Sequence, residues 1–367
     1  MKKTLLLITA IIVICFSFDS YAQKEQKKLR DTLDNAIDFS DFLINHKGVL
    51  PFVVPITEPA VGYGAMIGGL HFIQKKDKSH RPDIVAAFGG MTSNKTWLAG
   101  GAYIGYWKND HIRYRGIAGY TEVNLTYYGF GGNIPLDFSM DSFLFIQQLS
   151  FRIKESDFFV GGKYQLAKIA IPIFDNGIIP IDPIDLNLWN SGVSLITEYD
   201  NLNNFLSPTK GFRVHLSYDQ NMKALGSDKN WGKLNFFTHM YLPVNDKWIP
   251  AFRVDANLAT GDIPFYAKPY VSLRGVPALR YQGELTVVAE TEQLYNITSR
   301  WGLIGFTGIG TAFDSLEKMN SNEIVWNVGT GARYMIARLY GLKTGFDVAR
   351  GPEEWAFYVT IGTSWLR

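Results

Sequence analysis

An apolar stretch between Pro269 and Pro277 contains one charged residue, Arg274, which is followed by Gly275. A guanidinium that leaves bulk water needs carboxylate partners, and a bidentate pair with one of them fixes its position. Glu290 and Glu292 lie two residues apart in an alternating segment, so their side chains share one strand face. The sequence therefore predicts an ion-pair lock that holds this stretch of chain. The alternative is that Arg274 caps a solvent-exposed loop, as most arginines are exposed.

Enzymatic and cofactor chemistry find little support elsewhere in the sequence. The six histidines never form a close pair at metal-ligand spacing, so we predict no metal site. The glycines between Gly62 and Gly69 imitate a nucleotide loop, but no helical pattern follows them. The sequence has no Gly-x-Ser-x-Gly motif and no Ser-His-acid set on neighbouring strands. We therefore predict no enzyme activity and no cofactor.

The composition indicates a folded β-protein. Of the 367 residues, 47% are hydrophobic, 14% aromatic and 19% charged, which is too apolar for a disordered chain. A mean hydropathy of -0.02 is too polar for a bundle of membrane helices. The formal charge of +2, from 36 basic and 34 acidic residues, creates no field that favours nucleic acid as a partner. A large soluble β-protein or a membrane barrel remains.

The N-terminus has the pattern of a secretory signal peptide. Two lysines precede an uncharged apolar run from Leu5 to Phe18, and Ser20-Tyr21-Ala22 places small residues at a cleavage site. The run is shorter than the ~20 residues of a membrane anchor. We predict that residues 1–22 are removed, and with them the single cysteine, Cys15. The mature chain would then have neither disulfides nor thiolate chemistry.

Residues 23–48 are predicted to form a short periplasmic lead. They are polar and charged, with Leu29, Leu33 and Ile37 at roughly helical spacing, which favours a short amphipathic helix. The sequence leaves open whether this lead docks to a partner, plugs the lumen or stays mobile.

From residue 49 to residue 367 the pattern changes to β-structure. Apolar and polar residues alternate over stretches of about ten to fifteen residues, as where Phe212 and Val214 interleave with Arg213 and His215. Strands of a soluble sandwich are about half that length and turn their apolar face inward. Long strands, a secretory signal and a charged second face together predict a transmembrane antiparallel β-barrel with a polar lumen.

Sixteen such segments can be placed, and an even number is typical of bacterial barrels. The short turns between them are predicted to face the periplasm. The longer connections 124–137, 172–189 and 261–282 are predicted to be extracellular. The predicted strands are residues 50–57, 60–74, 81–93, 95–107, 110–123, 138–153, 157–171, 190–200, 210–222, 230–243, 247–260, 283–297, 300–312, 324–337, 340–350 and 354–366.

The Arg274 stretch resembles the loop that folds into the barrel in the BamA/TamA superfamily of outer-membrane assembly and translocation proteins. The family motif is an apolar residue, Arg, Gly and an aromatic residue. Leu273, Arg274 and Gly275 match this motif, and Val276 replaces the aromatic residue. The stretch also follows the eleventh of the sixteen predicted strands, which strengthens the match. The resemblance implies that the loop between strands 11 and 12 enters the lumen.

Other segments agree with the family in order along the chain. The segment from Asp200 to Gly211 resembles a family stretch that ends in Pro-Thr-x-Gly, and Asn204 and Pro208 match it. Strand 12 is similar to the strand that supplies a lumenal Glu, which we place at Glu292, with Glu290 on the same face. The final two hairpins resemble the terminal strands of the family.

A second partner of the arginine departs from the family pattern. In the family it is an Asp in a Phe-x-Asp-x-Gly motif on strand 13. Here Phe306 and Gly310 match, but Gly308 occupies the Asp position. The second carboxylate is therefore missing or supplied from elsewhere, with Asp347 and Glu198 as the candidates.

The resemblance covers residues 190–367 well and residues 50–190 loosely. Relatives that insert or secrete proteins carry POTRA domains before the barrel, and the roughly 25 residues between Ala22 and the first strand are too few for one. We therefore expect the barrel-only branch of the family. Phe357 and Trp365, on one face of the last strand, are expected to form the signal that the outer-membrane assembly machinery reads.

The resemblance implies an outer-membrane location, contact with membrane lipid, and a role in protein assembly or polypeptide translocation through a seam between the first and last strands. The expected partner is a polypeptide substrate or another envelope protein. Two alternatives stay open. One is a passive porin whose lumen is lined by Arg213, Lys233, Arg253, Asp255 and Glu292. The other is a scaffold barrel that uses its long loops to hold an envelope partner.

Overall fold

The computed structural model describes residues 29–45, 48–75, 82–127, 136–171, 187–314 and 324–365. The predicted signal peptide, residues 1–22, and most of the predicted extracellular loops 124–137 and 172–189 lie outside these ranges. Within the described residues, no helix is long and apolar enough to cross a membrane.

Sixteen strands form one antiparallel sheet whose spatial order is the order of the sequence. This meander confirms the predicted antiparallel barrel of sixteen strands. The strands are β1 (Val49–Ile56), β2 (Gly64–Ile73), β3 (Asp83–Thr92), β4 (Trp97–Trp107), β5 (Ile112–Tyr127), β6 (Leu136–Arg152), β7 (Phe158–Ala170), β8 (Asn187–Asp200), β9 (Gly211–Asn221), β10 (Trp231–Tyr241), β11 (Trp248–Gly261), β12 (Leu285–Asn296), β13 (Trp301–Phe313), β14 (Val325–Ala337), β15 (Leu342–Arg350) and β16 (Trp355–Ile361).

The observed strand ends lie within about four residues of the predicted ones, with one exception. The last strand was expected to run from 354 to 366, but β16 ends at Ile361. Gly362 follows it with a φ of +86°, a left-handed conformation that glycine adopts without steric cost. The chain turns there, so the residues after Gly362 leave the sheet.

Side chains alternate between the two sides of the barrel wall. On β16, Phe357 is 51% exposed on the outer side, whereas Ala356, its neighbour along the strand, is 2% exposed on the inner side. On β15, Phe346 is 57% exposed and Asp347 is fully buried. The barrel therefore presents apolar side chains to the membrane and buries many of its charged side chains inside, as the period-two pattern predicts.

The first and last strands are the only two without a partner on one side, within the described residues. β1 pairs only with β2, and β16 pairs only with β15. Their Cα atoms approach within 8 Å, yet no β-ladder joins them. We call this junction the seam.

The described part of the lead, residues 29–45, contains one short helix, α1 (Ser40–Asn45). Residues Arg30 and Ile37 form an isolated antiparallel bridge instead of continuing a helix. Leu33 is 78% exposed and Ile37 is 51% exposed, so the residues at helical spacing do not form a buried apolar face. The helical part of the lead is therefore shorter than the pattern suggested.

Candidate functional site

The connection between β11 and β12 packs inside the barrel. Val271, Leu273 and Val276 are each at most 5% exposed, and they form one apolar cluster with Val288 of β12 and Val325 of β14. Burial of apolar surface contributes ~25 cal/mol per Å². This contact holds the loop against the inner wall at β12–β14.

Gly275 brings the loop backbone against the last hairpin. Its φ is +82°, and its N–H donates to the hydroxyl of Tyr358 over 2.9 Å. A Cβ at this position would lie 2.9 Å from the backbone nitrogen of Gly351, in the turn between β15 and β16. The two backbones approach too closely for a side chain, so glycine is required here for both its conformation and its size.

Arg274 is the centre of the lumenal ion pairs. Its Nε donates to Oε1 of Glu290 over 3.1 Å, and its Nη1 donates to Oε2 of Glu292 over 2.8 Å and to Oδ2 of Asp347 over 3.0 Å. The guanidinium also lies 3.5 Å from the centre of the Phe306 ring. The planar guanidinium can stack on the ring with its face while its N–H groups donate to several carboxylates in its plane.

Two more arginines share the same carboxylates. Arg253 lies 3.3 Å from Glu290, and Arg333 makes a bidentate pair with Asp347 over 2.5 and 3.1 Å. The loop and strands β11, β12, β14 and β15 thus bring together three cations and three anions, so that their formal charges cancel. We call these residues the arginine cluster: Arg253, Arg274, Arg333, Glu290, Glu292 and Asp347.

Asp347 supplies the carboxylate that the strand-13 position lacks. Gly308 has no room for a side chain, because a Cβ there would lie 2.9 Å from Leu273, from Asn327 and from the carbonyl oxygen of Ala289. Asn327 uses the space and donates to the carbonyl oxygen of Arg274 over 3.0 Å. The acidic partner of Arg274 outside β12 therefore lies on β15, not at the β13 position that the family resemblance implies.

Glu198, the other candidate partner, belongs to a separate group of ion pairs. It accepts hydrogen bonds from Arg213 over 2.9 Å and from His215 over 3.0 Å. Arg113 lies 3.5 Å from its carboxylate. Sequence spacing could not separate the two candidates, because both lie on inward strand positions and only the barrel curvature decides which is near Arg274.

Trp365 is not on the outward face of the last strand, which corrects the placement expected from the sequence. It is 3% exposed, its ring lies beside those of His239 and Tyr241, and its indole N–H donates to Oε2 of Glu290 over 2.7 Å. The turn at Gly362 takes the chain into the lumen. Ser364, next to Trp365, accepts a hydrogen bond from Arg274 over 3.2 Å. The C-terminal segment therefore contacts the arginine cluster directly, whereas Phe357 faces outward as expected.

The segment after β8, which carries the family-like residues Asp200, Asn204, Pro208 and Gly211, folds toward the end of the chain. The amide of Asn204 donates to the carbonyl oxygen of Tyr340 over 2.6 Å. The carbonyl oxygen of Leu206 accepts from the N–H of Thr363 over 2.6 Å. The second contact joins this segment to the C-terminal segment, the first joins it to the turn between β14 and β15, and Pro208 is buried. Asp200 pairs with Arg113 over 2.8 Å, and Gly211 has a φ of +109° where β9 begins.

The lead is bound to the turns beneath β12–β15, a contact that the sequence did not predict. Arg300 pairs with Asp31 (2.5 Å), Asp34 (2.7 Å) and Asp38 (2.5 Å) and is 6% exposed. The spacing of the three aspartates was a signal for this site, but their partner lies more than 250 residues away. Arg338 also pairs with Asp34, over 2.5 Å. The described contacts of the lead thus join it to the turn that holds Arg300 and the turn that holds Arg338.

Docking of the lead is expected to resist acid. The hydrogen bond from Arg300 lowers the pKa of Asp34 to about 2. Burial alone would raise the pKa of Asp38, but hydrogen bonds from Ser40 and Arg300 outweigh it and lower the value. A carboxyl whose pKa is lowered by docking stabilises the docked state at every pH above its ordinary pKa, which is near 4. This stabilisation is lost as the pH falls through the pKa of the docked state, about 2.

Protease protection of residues 29–45 after brief incubation at each pH measures this docking. We expect full protection at pH 5 and release toward pH 2. An Arg300→Gln variant should lose protection already at pH 7, and a lead that is released near pH 4 in the native chain would contradict the assignment.

Comparisons with known proteins agree with this architecture. Residues 119–365 match the Omp85 superfamily domain. No curated protein matches the sequence. Among solved structures, BamA from Haemophilus ducreyi lacking POTRA domains 1-3 has a similar fold, with 14% sequence identity and a TM-score of 0.57 over 86% of this chain and 68% of that chain.

Two CdiB structures are similar in the same way. CdiB from Escherichia coli has 11% identity and a TM-score of 0.60, with 85% of this chain and 62% of that chain covered. CdiB from Acinetobacter baumannii has 13% identity and a TM-score of 0.57, with 86% and 60% covered. The chain thus spans about three fifths of the CdiB chains, and at these identities the likeness concerns the fold. Because the family match extends over more than half of the sequence and the fold agrees with it, the chain belongs to the Omp85 superfamily and is an outer-membrane β-barrel protein.

Proposed function

We propose that the protein inserts polypeptides into the outer membrane, or passes them across it, through an opening at the seam between β1 and β16. The observation that carries this proposal is the seam itself: within the described residues, all other neighbouring strands are joined by ladders and this pair is not. Unpaired strand edges offer N–H and C=O groups to an incoming strand.

The sequence of β1 supports a weak seam. Pro51 and Pro55 lie two alternations apart in this strand, so their backbone nitrogens point to the same side. Proline has no N–H, and within sheets it is placed with that side on a free edge. Two of the donors that β1 would need for a ladder with β16 are therefore missing.

The arginine cluster is placed to couple the lumenal loop to the seam. A cavity of about 350 Å³ extends from Arg274, Glu290 and Trp365 to Thr360 and Ile361 on the free edge of β16. Contacts of Ser364 and Trp365 with the cluster hold the end of the chain inside the barrel. A strand that displaced this end from the seam would break these contacts, and the loop would lose part of its support.

A passive porin is less well supported. Of its expected lumen-lining residues, Arg213 pairs with Glu198 at 2.9 Å, Arg253 with Glu290 at 3.3 Å, and Glu292 with Arg274 at 2.8 Å. Charges that neutralise each other across the lumen, together with a loop packed between them, do not form an open ion pathway.

The experiment is insertion of an unfolded outer-membrane protein into proteoliposomes that contain this barrel. Cysteines at Val53 and Val359, which are 66% and 42% exposed on the two seam strands, would be joined by a short bifunctional thiol reagent. We expect the joined seam to lose most of the insertion rate and to recover it on cleavage of the link. The mature chain should contain no other thiol, since Cys15 lies in the predicted signal peptide.

The matched control is a link between cysteines at Val348 and Phe357, which are already register partners on β15 and β16. That link leaves the seam free and should not change the rate. Insertion that continues unchanged with the seam joined would contradict the proposal.

A further inference from the structure

The inner wall of β1–β4 consists of four adjacent strands without a charged side chain. Arg115 of β5 is directly opposite Ile104 of β4, and opposite residues share one face of a sheet. Arg113, on the same face, reaches Asp200 at the end of β8 across the interior, so this face is the lumenal one. The register continues from Ile104 to Ile84 of β3 and to Phe72 of β2, and Leu70, on the same face as Phe72, lies opposite Leu50 of β1. This identifies every inward position of the four strands. None of these positions holds Asp, Glu, Lys, Arg or His.

The same four strands are also apolar outside. Val53, Ile67 and Met91 are 60% exposed or more on the membrane side. Inward residues such as Phe52 and Phe88 are half-buried, so they keep part of their surface accessible in the lumen. Accessible apolar surface in water costs ~25 cal/mol per Å², and such patches mark binding sites. Strands facing only water inside would carry polar residues there, as β8 and β9 do.

This wall is continuous with the membrane-facing surface around the free edge of β1. Val49 and Val53 face the lipid, and their neighbours along the strand, Leu50 and Phe52, face the lumen. Because no ladder closes this edge within the described residues, an acyl chain could pass from the bilayer to the wall between β1 and β16, along the apolar side chains of β1.

Arg115 lies beside the wall, on β5, next to Ile104 of β4. Arg115 has no hydrogen bond or ion pair within the part of the chain that the structure describes. Glu198, whose charge acts on Arg115, is already bound to Arg213 at 2.9 Å. A guanidinium of this kind binds phosphate oxygens bidentately.

The direction of the wall also fits a lipid. Arg115 is near the periplasmic end of β5, which begins at Ile112. From Ile104 the apolar positions of β4 continue to Leu98, about 20 Å toward the extracellular side at the rise of a strand. A lipid of the periplasmic leaflet has the same orientation, with its head group toward the periplasm and its chain toward the membrane centre.

We propose that the inner wall of β1–β4 binds an acyl chain of an anionic membrane phospholipid whose phosphate head group pairs with Arg115. The binding needs the free edge of β1 but does not depend on the handling of polypeptides. It would make this half of the lumen a lipid site and leave the arginine cluster as the polar half.

The test is photocrosslinking from single positions in the purified, mature chain in phosphatidylglycerol nanodiscs, with the adducts identified by mass. A benzophenone amino acid at Phe88 faces the wall. The same residue at Val85, on the outer face of the same strand, is the positive control for lipid contact, and at Ser217, inward on β9, it is the negative control. We expect phospholipid adducts from Phe88 and Val85 but not from Ser217. Adducts from Val85 alone, or only polypeptide adducts from Phe88, would overturn the proposal.

The head-group contact is tested by the preference for anionic over zwitterionic lipid at Phe88. In mixed phosphatidylglycerol and phosphatidylcholine nanodiscs, Arg115→Gln should lower this preference about fivefold, the factor for one partly exposed ion pair. Arg115→Lys should retain most of it, and resistance of the barrel to unfolding in cold detergent would show that both variants are folded. A preference that Arg115→Gln leaves unchanged would overturn the assignment of the head group.

Discussion

Replacing Arg274 by alanine should convert a nearly silent barrel into a conducting one. The change removes the cation that joins Glu290, Glu292 and Asp347 and leaves these carboxylates partly uncompensated inside the barrel. Loss of one partner of a buried ion pair costs about 3–5 kcal/mol, and this change removes the ion pairs that join the loop to β12 and β15. The loop should then leave the lumen, and planar-bilayer recordings of the purified mature protein should show steady openings.

Two variants separate this effect from a general loss of stability. Arg274→Lys keeps the charge but not the planar fork, so we expect brief, intermittent openings. Arg280→Ala removes a loop arginine that pairs with Glu353 near the surface at 2.7 Å and should remain silent, because exposed pairs contribute about 0–1 kcal/mol. If the native protein and Arg274→Ala conduct steadily and alike, the loop does not close the lumen and a porin is the better account.

Replacing Asp347 by asparagine should destabilise the barrel more than any single carboxylate change at its rim. Asp347 is fully buried and is shared by Arg274 at 3.0 Å and Arg333 at 2.5 Å, so two guanidinium groups lose a counter-charge. We expect a loss of about 3–5 kcal/mol in the free energy of unfolding, measured by urea titration in detergent micelles. Glu353→Gln, at the exposed pair with Arg280, should cost less than 1 kcal/mol.

The position of this carboxylate can be tested by moving it. Adding Gly308→Asp to Asp347→Asn places the acid on strand 13, at the position that the family resemblance implies. A side chain at 308 meets the carbonyl oxygen of Ala289 at 2.9 Å, and backbone does not give way cheaply. We therefore expect no rescue. Full recovery of stability in the double variant would show that the two positions are interchangeable and that the packing around Gly308 imposes no constraint.

The sequence predicts the strands and the faces of their side chains, but it does not predict which side chains meet inside the lumen. Period-two alternation predicts which residues face inward along each strand, so Glu290 and Glu292 could be placed on one lumenal face from spacing alone. Which inward residues meet across the lumen depends on strand tilt and barrel curvature. For that reason Asp347 and Glu198 could not be ranked, although Asp347 contacts Arg274 and Glu198 does not.

The sequence pattern did not predict the position of Trp365 or the partner of the aspartates in the lead. By its spacing in the sequence, Trp365 belongs to the outward face of Phe357 and Val359. In the structure, Gly362 adopts a left-handed conformation that ends the strand, and the indole N–H of Trp365 donates to Glu290. Gly362, which adopts a positive φ without steric cost, is the local signal that the sequence offers for this turn. The aspartates of the lead show a different limit, since an i, i+3, i+7 acidic spacing suggests a helix face as readily as a set of ligands for a distant arginine such as Arg300.

The most direct test of the central claim is the distance across the seam in a lipid bilayer. Nitroxide labels at Val53 of β1 and Val359 of β16 lie on exposed outward positions, and double electron–electron resonance reports their separation. We predict two populations in nanodiscs, one closed and one wider, with the wider one increased by Arg274→Ala. Labels at Val348 and Phe357, which pair on β15 and β16, should give one narrow distance. A single narrow distance across the seam as well, unchanged by Arg274→Ala, would contradict a barrel that opens between its first and last strands.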